Sequence, residues 1–212
     1  MRLHYIAVEG PIGVGKTTIV EKLAERLDAN TALEEWADNP FLNSFYEGKA
    51  GASFQAELFF LLSRYRQQQE LVQRNLFSEF TISDYVFEKS RLFAYLNLDD
   101  SELLIYERLF GLLAEGVPRP DLVIYLQAPT DVLLKRIRGR GRIEEARLSE
   151  DYLSEVNRAY AHYFFHYSVT PLLVVNTEDV DFARREEDVE DLLRQVRGME
   201  RGTIYYVPRP RA

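Results

Sequence analysis

The clearest chemistry in the sequence belongs to a glycine-rich segment, GPIGVGKT at 10–17, which has the spacing of a phosphate-binding loop. Its glycines let backbone N–H groups turn toward phosphate oxygens, and a helix that begins there adds the positive end of its dipole. Lys16 is expected to reach the β- and γ-phosphates, and the Thr17 hydroxyl to hold Mg²⁺. The segment therefore predicts a nucleoside triphosphate site, to which further loop residues contribute, namely Gly10, Gly13, Gly15 and Thr18.

Transfer of a phosphoryl group to a hydroxyl also needs a base, and positive charge around the group in transit. Carboxylates follow two predicted strands, Glu34 and Glu35 after the second and Asp84 after the third. Ligands of an open α/β sheet bind at the carboxyl edge of its strands, so we expect these acids to converge with the loop. Exposed acids without a role are the alternative interpretation.

Four arginines, interrupted by two glycines, supply the positive charge. A glycine-hinged arginine segment suits a mobile lid that closes guanidinium groups over phosphates. A solvated basic helix end is the alternative, and the net charge of −8 argues against a nucleic-acid partner. The arginines are Arg136, Arg138, Arg140 and Arg142.

An aromatic-rich segment at 36–46 follows the second strand, and it could wall a pocket for a flat heterocycle and its sugar. Gln55 and Arg64 lie on the next predicted helix, and both side chains can hydrogen-bond a base edge. A loop that packs onto the core, followed by ordinary helix-face polarity, is the alternative.

The elements that must position these residues alternate along the chain. Apolar strand-like runs at 4–8, 31–34, 79–84, 121–127 and 172–176 are separated by helical patterns. This alternation predicts an α/β fold, a five-stranded parallel sheet flanked by helices. Long helices are expected at 52–75, 101–116 and 149–168. The first is apolar nearly all round, which favours a subunit interface, hence a homodimer, or a crowded core.

Composition limits the class of protein. The 212 residues form one domain at 1–201 and a tail at 202–212 that begins with a short strand. Without cysteine there are no disulfides or thiolate metal sites, and no apolar run has the length of a membrane span. The first residues run directly into a strand, which leaves no room for a signal peptide. We therefore expect a cytoplasmic enzyme without a membrane partner.

Together these segments resemble the deoxynucleoside kinase family, in particular its bacterial deoxyguanosine/deoxyadenosine kinase branch. The matching segments follow the family order and span most of the chain. They are EGPIGVGKTT at 9–18, EEWADNPFLNSFY at 34–46, FQAELFFLLSRYRQ at 54–67, SDYVFEKSRLFA at 83–94 and RIRGRGRIEEARLSEDYL at 136–153. The resemblance implies a P-loop kinase fold with an arginine-rich lid at about 137–148.

The resemblance also implies roles for individual residues. Glu34 matches the carboxylate that takes the proton of the sugar 5′-hydroxyl, and Asp84 falls where the family has an acid near the metal. Tyr46 and Glu145 match the pair that holds the 3′-hydroxyl, and Gln55 matches the base-reading glutamine. The remaining matches are to the lid arginines and the donor-adenine loop, at Arg136, Arg140, Arg142, Asp181 and Phe182.

Two positions depart from the family pattern. Tyr85 follows Asp84 where many members have an arginine that helps to place the 5′-oxygen, so another group must do this here or the branch manages without it. Ser90 stands where some members carry a base-reading aspartate.

The expected function is ATP- and Mg²⁺-dependent phosphorylation of a deoxynucleoside 5′-hydroxyl for nucleotide salvage, with a purine as the base, deoxyguanosine ahead of deoxyadenosine. A thymidylate-kinase-like monophosphate kinase and a kinase that prefers pyrimidine deoxynucleosides are the alternatives. A GTPase-like switch is a third hypothesis, but the sequence has no N-K-x-D guanine motif. Base preference is not determined, because one or two hydrogen bonds decide it.

Overall fold

The fold is a six-stranded parallel sheet with helices on both faces. The computed structural model describes residues 3–75, 80–141, 145 and 148–208. The strand order is β2-β3-β1-β4-β5-β6. The strands are β1 (Tyr5–Glu9), β2 (Asn30–Ala32), β3 (Thr81–Ser83), β4 (Leu122–Gln127), β5 (Leu172–Asn176) and β6 (Thr203–Tyr206).

The predicted number of five strands was wrong, because the short strand assigned to the tail joins the sheet. β6 pairs in parallel with β5 from Leu172 opposite Thr203 to Val175 opposite Tyr206. It covers an edge of β5 that would otherwise expose unpaired backbone groups.

Eight α-helices occur among the described residues, and those predicted at 52–75, 101–116 and 149–168 correspond to α3, α5 and α7. The helices are α1 (Lys16–Leu27), α2 (Leu42–Tyr46), α3 (Ala52–Asn75), α4 (Lys89–Asn97), α5 (Asp100–Ala114), α6 (Thr130–Arg140), α7 (Glu150–Phe165) and α8 (Glu186–Gly198). In the described ranges, none of them has both the length and the apolar composition needed to cross a bilayer.

Alternation along β1 explains why both sheet faces are covered. Ile6 and Val8 join a core cluster with α1, α6 and α8, whereas Tyr5 and Ala7 join a second cluster with α4 and α7. A strand buried on both faces is expected to be apolar along most of its length, and β1 and β4 are apolar up to their last residues, Glu9 and Gln127.

The strand order also locates a crevice. β1 lies between β3 and β4, and the chain passes to β2 on one side of it and to β4 on the other. Loops that leave adjacent strands in opposite directions open a crevice at the carboxyl edge. The loops after β1, β2 and β3 therefore meet at this edge.

Candidate active site

The glycine loop after β1 has little room for side chains. A Cβ added to Gly10 would lie 2.4 Å from the carbonyl oxygen of Leu126, and one on Gly13 would lie 2.7 Å from Cγ1 of Ile137. Gly13 and Gly15 also have positive φ angles of 86° and 102°. The loop can therefore follow this path only with glycine at these positions.

Lys16, the first residue of α1, folds back over the loop. Its Nζ donates to the carbonyl oxygens of Gly10 and Pro11, at 2.7 and 3.2 Å. Burial, reinforced by the nearby ammonium of Lys89, lowers the pKa of Lys16 to about 8. A buried cation whose charge is poorly solvated gains much from a phosphate anion beside it.

Two groups that follow strands, Glu34 and Asp84, meet Thr17 of α1 beside the loop. Thr17 Oγ1 donates to Asp84 Oδ2 at 3.1 Å, and the backbone N–H of Glu34 donates to Asp84 Oδ1 at 2.7 Å. The hydroxyl and the carboxylate are hard oxygen ligands of the kind that Mg²⁺ prefers. The described residues contain no group of three His, Cys, Asp or Glu side chains able to hold a metal. Mg²⁺ is usually held by one or two protein oxygens together with substrate phosphates and water, and Thr17 and Asp84 are the candidate ligands here.

The Glu34 carboxylate lies between two buried cations. Oε1 accepts from Nε of Arg64 at 2.7 Å, and Oε2 accepts from Nζ of Lys89 at 2.7 Å. Burial alone would raise the pKa of Glu34, but the charges of Arg64 and Lys89 outweigh it and hold the pKa well below its usual range. The carboxylate is therefore ionised and oriented at neutral pH.

The neighbouring acid Glu35 points elsewhere. Its Oε2 accepts from Nη2 of Arg66 at 2.6 Å, and its side chain is 39% exposed. Glu34 lines the cavity beside the loop and Glu35 does not. Of the two adjacent carboxylates, the geometry places only Glu34 within reach of a substrate.

Lys89 is a site residue that sequence reasoning missed. It is the first residue of α4, its side chain is 7% exposed, and it contacts Glu34 five positions after Asp84. Tyr85, which stands where the family arginine is expected, is fully buried in the core. The segment after Asp84 also contains Glu88 and Arg91, so the sequence pattern does not single out Lys89.

Arg64 donates hydrogen bonds to the carboxylate of Glu34. Its Nη1 donates to Oγ of Ser90 at 2.8 Å, while Nε and Nη2 donate to Glu34. The guanidinium is almost completely buried and also lines the cavity.

A cavity of about 320 Å³ extends from the loop between α2, α3, α4 and α7. Its aromatic wall includes Trp36, Phe45, Tyr46, Phe60, Phe93 and Tyr152. Tyr46 and Glu145, the residues matched to the pair that holds the 3′-hydroxyl, both line it. Gln55 is exposed and lies outside the lining, whereas Glu57 from the same helix lines it and is buried.

A second cavity, of about 820 Å³, lies on the other side of the loop. Arg136, Asp181 and Phe182 line it, and Arg136 donates to Oγ1 of Thr177 at 3.1 Å. Phe182 is largely buried in the core, so only part of its ring faces the cavity.

The two cavities adjoin at the loop. Gly13, Gly15, Thr18 and Arg140 line both of them. Arg140 also forms an ion pair with Glu145, and both residues line the first cavity. Arg142 and most of the predicted lid after 141 lie outside the described residues. The arrangement offers two adjoining cavities, with an ionised carboxylate and its paired cations lining the first and Arg140 lining both.

Buried Glu9, the last residue of β1, ties the surrounding elements together. Its Oε1 accepts from the backbone N–H of Gly10 and from the hydroxyl of Tyr160, at 2.8 and 3.0 Å. Its Oε2 accepts from the backbone N–H of Val86 at 3.0 Å. The carboxylate thus holds the glycine loop, the loop after β3 and α7 in one arrangement.

Comparison with known proteins agrees with this geometry. The family model described as "Deoxynucleoside kinase" matches residues 6–199. The chain is 32% identical to a deoxyguanosine kinase and 30% identical to a deoxyadenosine/deoxycytidine kinase, both from Bacillus subtilis. The first alignment covers 91% of this chain and 96% of the relative, and the second covers 90% of each. The fold is similar to that of a deoxyadenosine kinase from M. mycoides with bound dCTP, with a TM-score of 0.78 and 23% identity over 92% of this chain and 99% of the other. The chain therefore belongs to the deoxynucleoside kinase family.

Proposed function

We propose that this protein transfers the γ-phosphoryl group of ATP to the 5′-hydroxyl of a purine deoxynucleoside, giving the 5′-monophosphate for nucleotide salvage. One observation carries the proposal: two cavities share the glycine loop, and the ionised carboxylate of Glu34 lines the first of them beside that loop. The aromatic cavity suits the nucleoside, and the cavity lined by Arg136 and Asp181 suits the donor. ATP as the donor favours a cytoplasmic location.

Glu34 is the proposed base of the reaction. It would accept the proton of the 5′-hydroxyl as that oxygen attacks the γ-phosphorus, while the bond to the β,γ-bridging oxygen breaks and ADP leaves. Lys89 and Arg64 keep the carboxylate ionised and aimed into the cavity. A carboxylate of such low basicity acts mainly by orienting the hydroxyl, which suffices for a loose phosphoryl-transfer transition state.

Positive groups around the loop would stabilise the transferred phosphoryl group. Lys16 lines the first cavity and Arg140 lines both, and we propose that Arg136 and Arg142 join them when the lid closes. Mg²⁺, held through Thr17 and Asp84, would neutralise charge on the phosphates. Tyr46 and Glu145 would bind the 3′-hydroxyl of the sugar.

A phosphate-transfer assay tests the proposal. The purified protein is incubated with ATP, Mg²⁺ and each of the four deoxynucleosides, with dTMP as a separate acceptor. We expect purine deoxynucleoside 5′-monophosphates to form, and chelation of Mg²⁺ to stop their formation. Phosphorylation of dTMP alone, or of no deoxynucleoside, would overturn the proposal.

We further propose that the protein is a homodimer. α3 and α5 expose large apolar side chains, and Leu62, Leu104, Ile105 and Leu112 are 51 to 74% exposed. Apolar side chains clustered on neighbouring helices are typical of an interface. Sedimentation equilibrium should give twice the monomer mass of 24.7 kDa. A Leu104→Glu variant at the monomer mass would locate the interface on this face, and a monomeric wild type would contradict the proposal.

A further inference from the structure

Glu57 is a buried acid in the nucleoside cavity that the proposed reaction does not use. It lies on α3, its residue surface is 3% exposed, and it lines the cavity. Its Oε1 accepts from Nδ2 of Asn97 at 2.7 Å. Its Oε2 is buried and has no hydrogen-bond partner among the described residues. A buried oxygen without a donor costs free energy, so the site favours a ligand that supplies one.

The charges nearby do not satisfy this carboxyl group. Arg64 and Lys89, the adjacent cations, both hydrogen-bond to Glu34 instead. Burial therefore dominates and raises the pKa of Glu57 to about 7. Near neutral pH the Glu57 side chain can therefore be an ionised carboxylate whose Oε2 is able to accept further hydrogen bonds.

Glu57 and Arg64 share one face of α3, since seven residues span about two helical turns. Both line the same cavity. The Arg64 guanidinium uses Nε, Nη1 and Nη2 for Glu34 and Ser90, but its terminal nitrogens each carry a second N–H. The cavity therefore presents a donor and, beside it, an acceptor.

We propose, on the basis of the proposed kinase function, that Glu57 selects the base by accepting hydrogen bonds from N1–H and N2–H of guanine, so that the preferred substrate is a 6-oxopurine deoxynucleoside. The guanine O6 would then face the N–H groups of Arg64. In this arrangement the unpartnered Oε2 accepts a hydrogen bond. Each polar group of the guanine edge, O6, N1–H and N2–H, then has a hydrogen-bond partner.

Other bases present the wrong pattern to this pair of side chains. Adenine places an N6 amino group toward Arg64 and the N1 lone pair toward Glu57, so both contacts would be repulsive unless Glu57 is protonated. Cytosine also presents an amino group and a ring acceptor. Thymine offers one N–H but no second donor beside it.

Replacing the carboxylate by an amide tests this assignment. A glutamine at 57 offers one donor and one acceptor, the pattern that complements adenine. In Glu57→Gln we expect the ratio of kcat/KM for deoxyguanosine over deoxyadenosine to fall by about 10- to 100-fold. The matched control is Glu70→Gln, the same substitution at an exposed position of the same helix, which should leave the ratio unchanged.

A second experiment varies the substrate and does not depend on a variant that folds. With the wild-type protein, deoxyinosine keeps N1–H and O6 but loses N2–H, and we expect its kcat/KM to lie between those of deoxyguanosine and deoxyadenosine. Equal use of deoxyguanosine and deoxyadenosine, or an unchanged ratio in Glu57→Gln, would overturn the assignment and leave the kinase proposal intact. Failure to phosphorylate any deoxynucleoside would instead refute the kinase proposal.

Discussion

At the scale of single residues, the carboxylate of Glu34 is the centre of the site. In Glu34→Gln we expect kcat to fall at least about 100-fold, because the hydroxyl loses its proton acceptor. Deoxynucleoside binding, measured by calorimetry, should persist because the aromatic cavity is unchanged. Turnover at the wild-type rate would refute the role of Glu34.

The same variant leaves the cations of Arg64 and Lys89 buried without their anion. We expect it to lose about 3–5 kcal/mol of unfolding free energy, measured in denaturant. Glu35→Gln is the matched control, because its partner Arg66 is exposed and the loss should stay below about 1 kcal/mol. Equal losses in both variants would contradict the buried cluster.

Lys89 is expected to position Glu34 and keep it ionised. Replacing it by methionine removes a cation that lowers the pKa of Glu34 and also lowers that of Lys16. We therefore expect kcat to fall about tenfold or more, and both the acid limb of the kcat profile and the Lys16 titration to move to higher pH. Lys89→Arg should restore much of the rate. An unshifted acid limb in Lys89→Met would show that Lys89 does not act through Glu34.

Some site residues can be predicted from local sequence pattern and topology, whereas others can be identified only from contacts in the folded structure. The phosphate loop and the strand-end acids follow from local pattern and topology, so Thr17, Asp84 and Glu34 were expected together. Gln55, which matches the base-reading glutamine, is exposed, whereas Glu57, which we propose reads the base, is buried, because two positions along a helix turn a side chain about 200° around its axis. Lys89 depends on which partner lies opposite it, and a single sequence does not contain that distance.

At the scale of elements, the fit of the glycine loop against α6 decides whether the donor site forms. In Gly13→Ala the new Cβ would lie 2.7 Å from Ile137 Cγ1, and the positive φ adds strain. We expect a loss of about 1–3 kcal/mol in unfolding free energy and weaker ATP binding. Gly111→Ala is the control, because among the described residues no atom apart from the adjacent backbone of α5 lies within 4 Å of its added Cβ, and alanine should stabilise α5. Normal ATP affinity in Gly13→Ala would contradict the tight fit.

The lengths and types of the long helices were predictable because each covers a continuous apolar face. The count of strands was not, because β6 is only four residues long and partly exposed, and its place depends on β5 having a free edge. Strand order likewise depends on how crossovers pack, so the adjacency of β1 to β3 and β4 had to come from the structure.

At the scale of the whole molecule, two buried acids should give global stability opposite dependences on pH. Burial by itself raises the pKa of a carboxyl group. At Glu34 the charges of Arg64 and Lys89 reverse this effect and lower the pKa. Glu34 therefore contributes stability above its unfolded pKa of 4.5, and this is lost as the pH falls. Glu57 is buried with too little compensating charge, so its contribution has the other sign.

The pKa of Glu57 rises from 4.5 in the unfolded chain to about 7 in the fold, where Arg64, Lys89, Glu34 and Asn97 surround it. Its stabilising contribution is complete below pH 4.5 and is lost as the pH rises through 7. By pH 8 this amounts to about 3 kcal/mol. The unfolding free energy of the wild type should fall relative to that of Glu57→Gln by this amount between pH 4.5 and 8, whereas Glu70→Gln should track the wild type. Saturating deoxyguanosine should flatten the wild-type curve, because donors beside the carboxylate favour its ionised form. Parallel curves for the wild type and Glu57→Gln would show that the buried carboxyl does not titrate in this range.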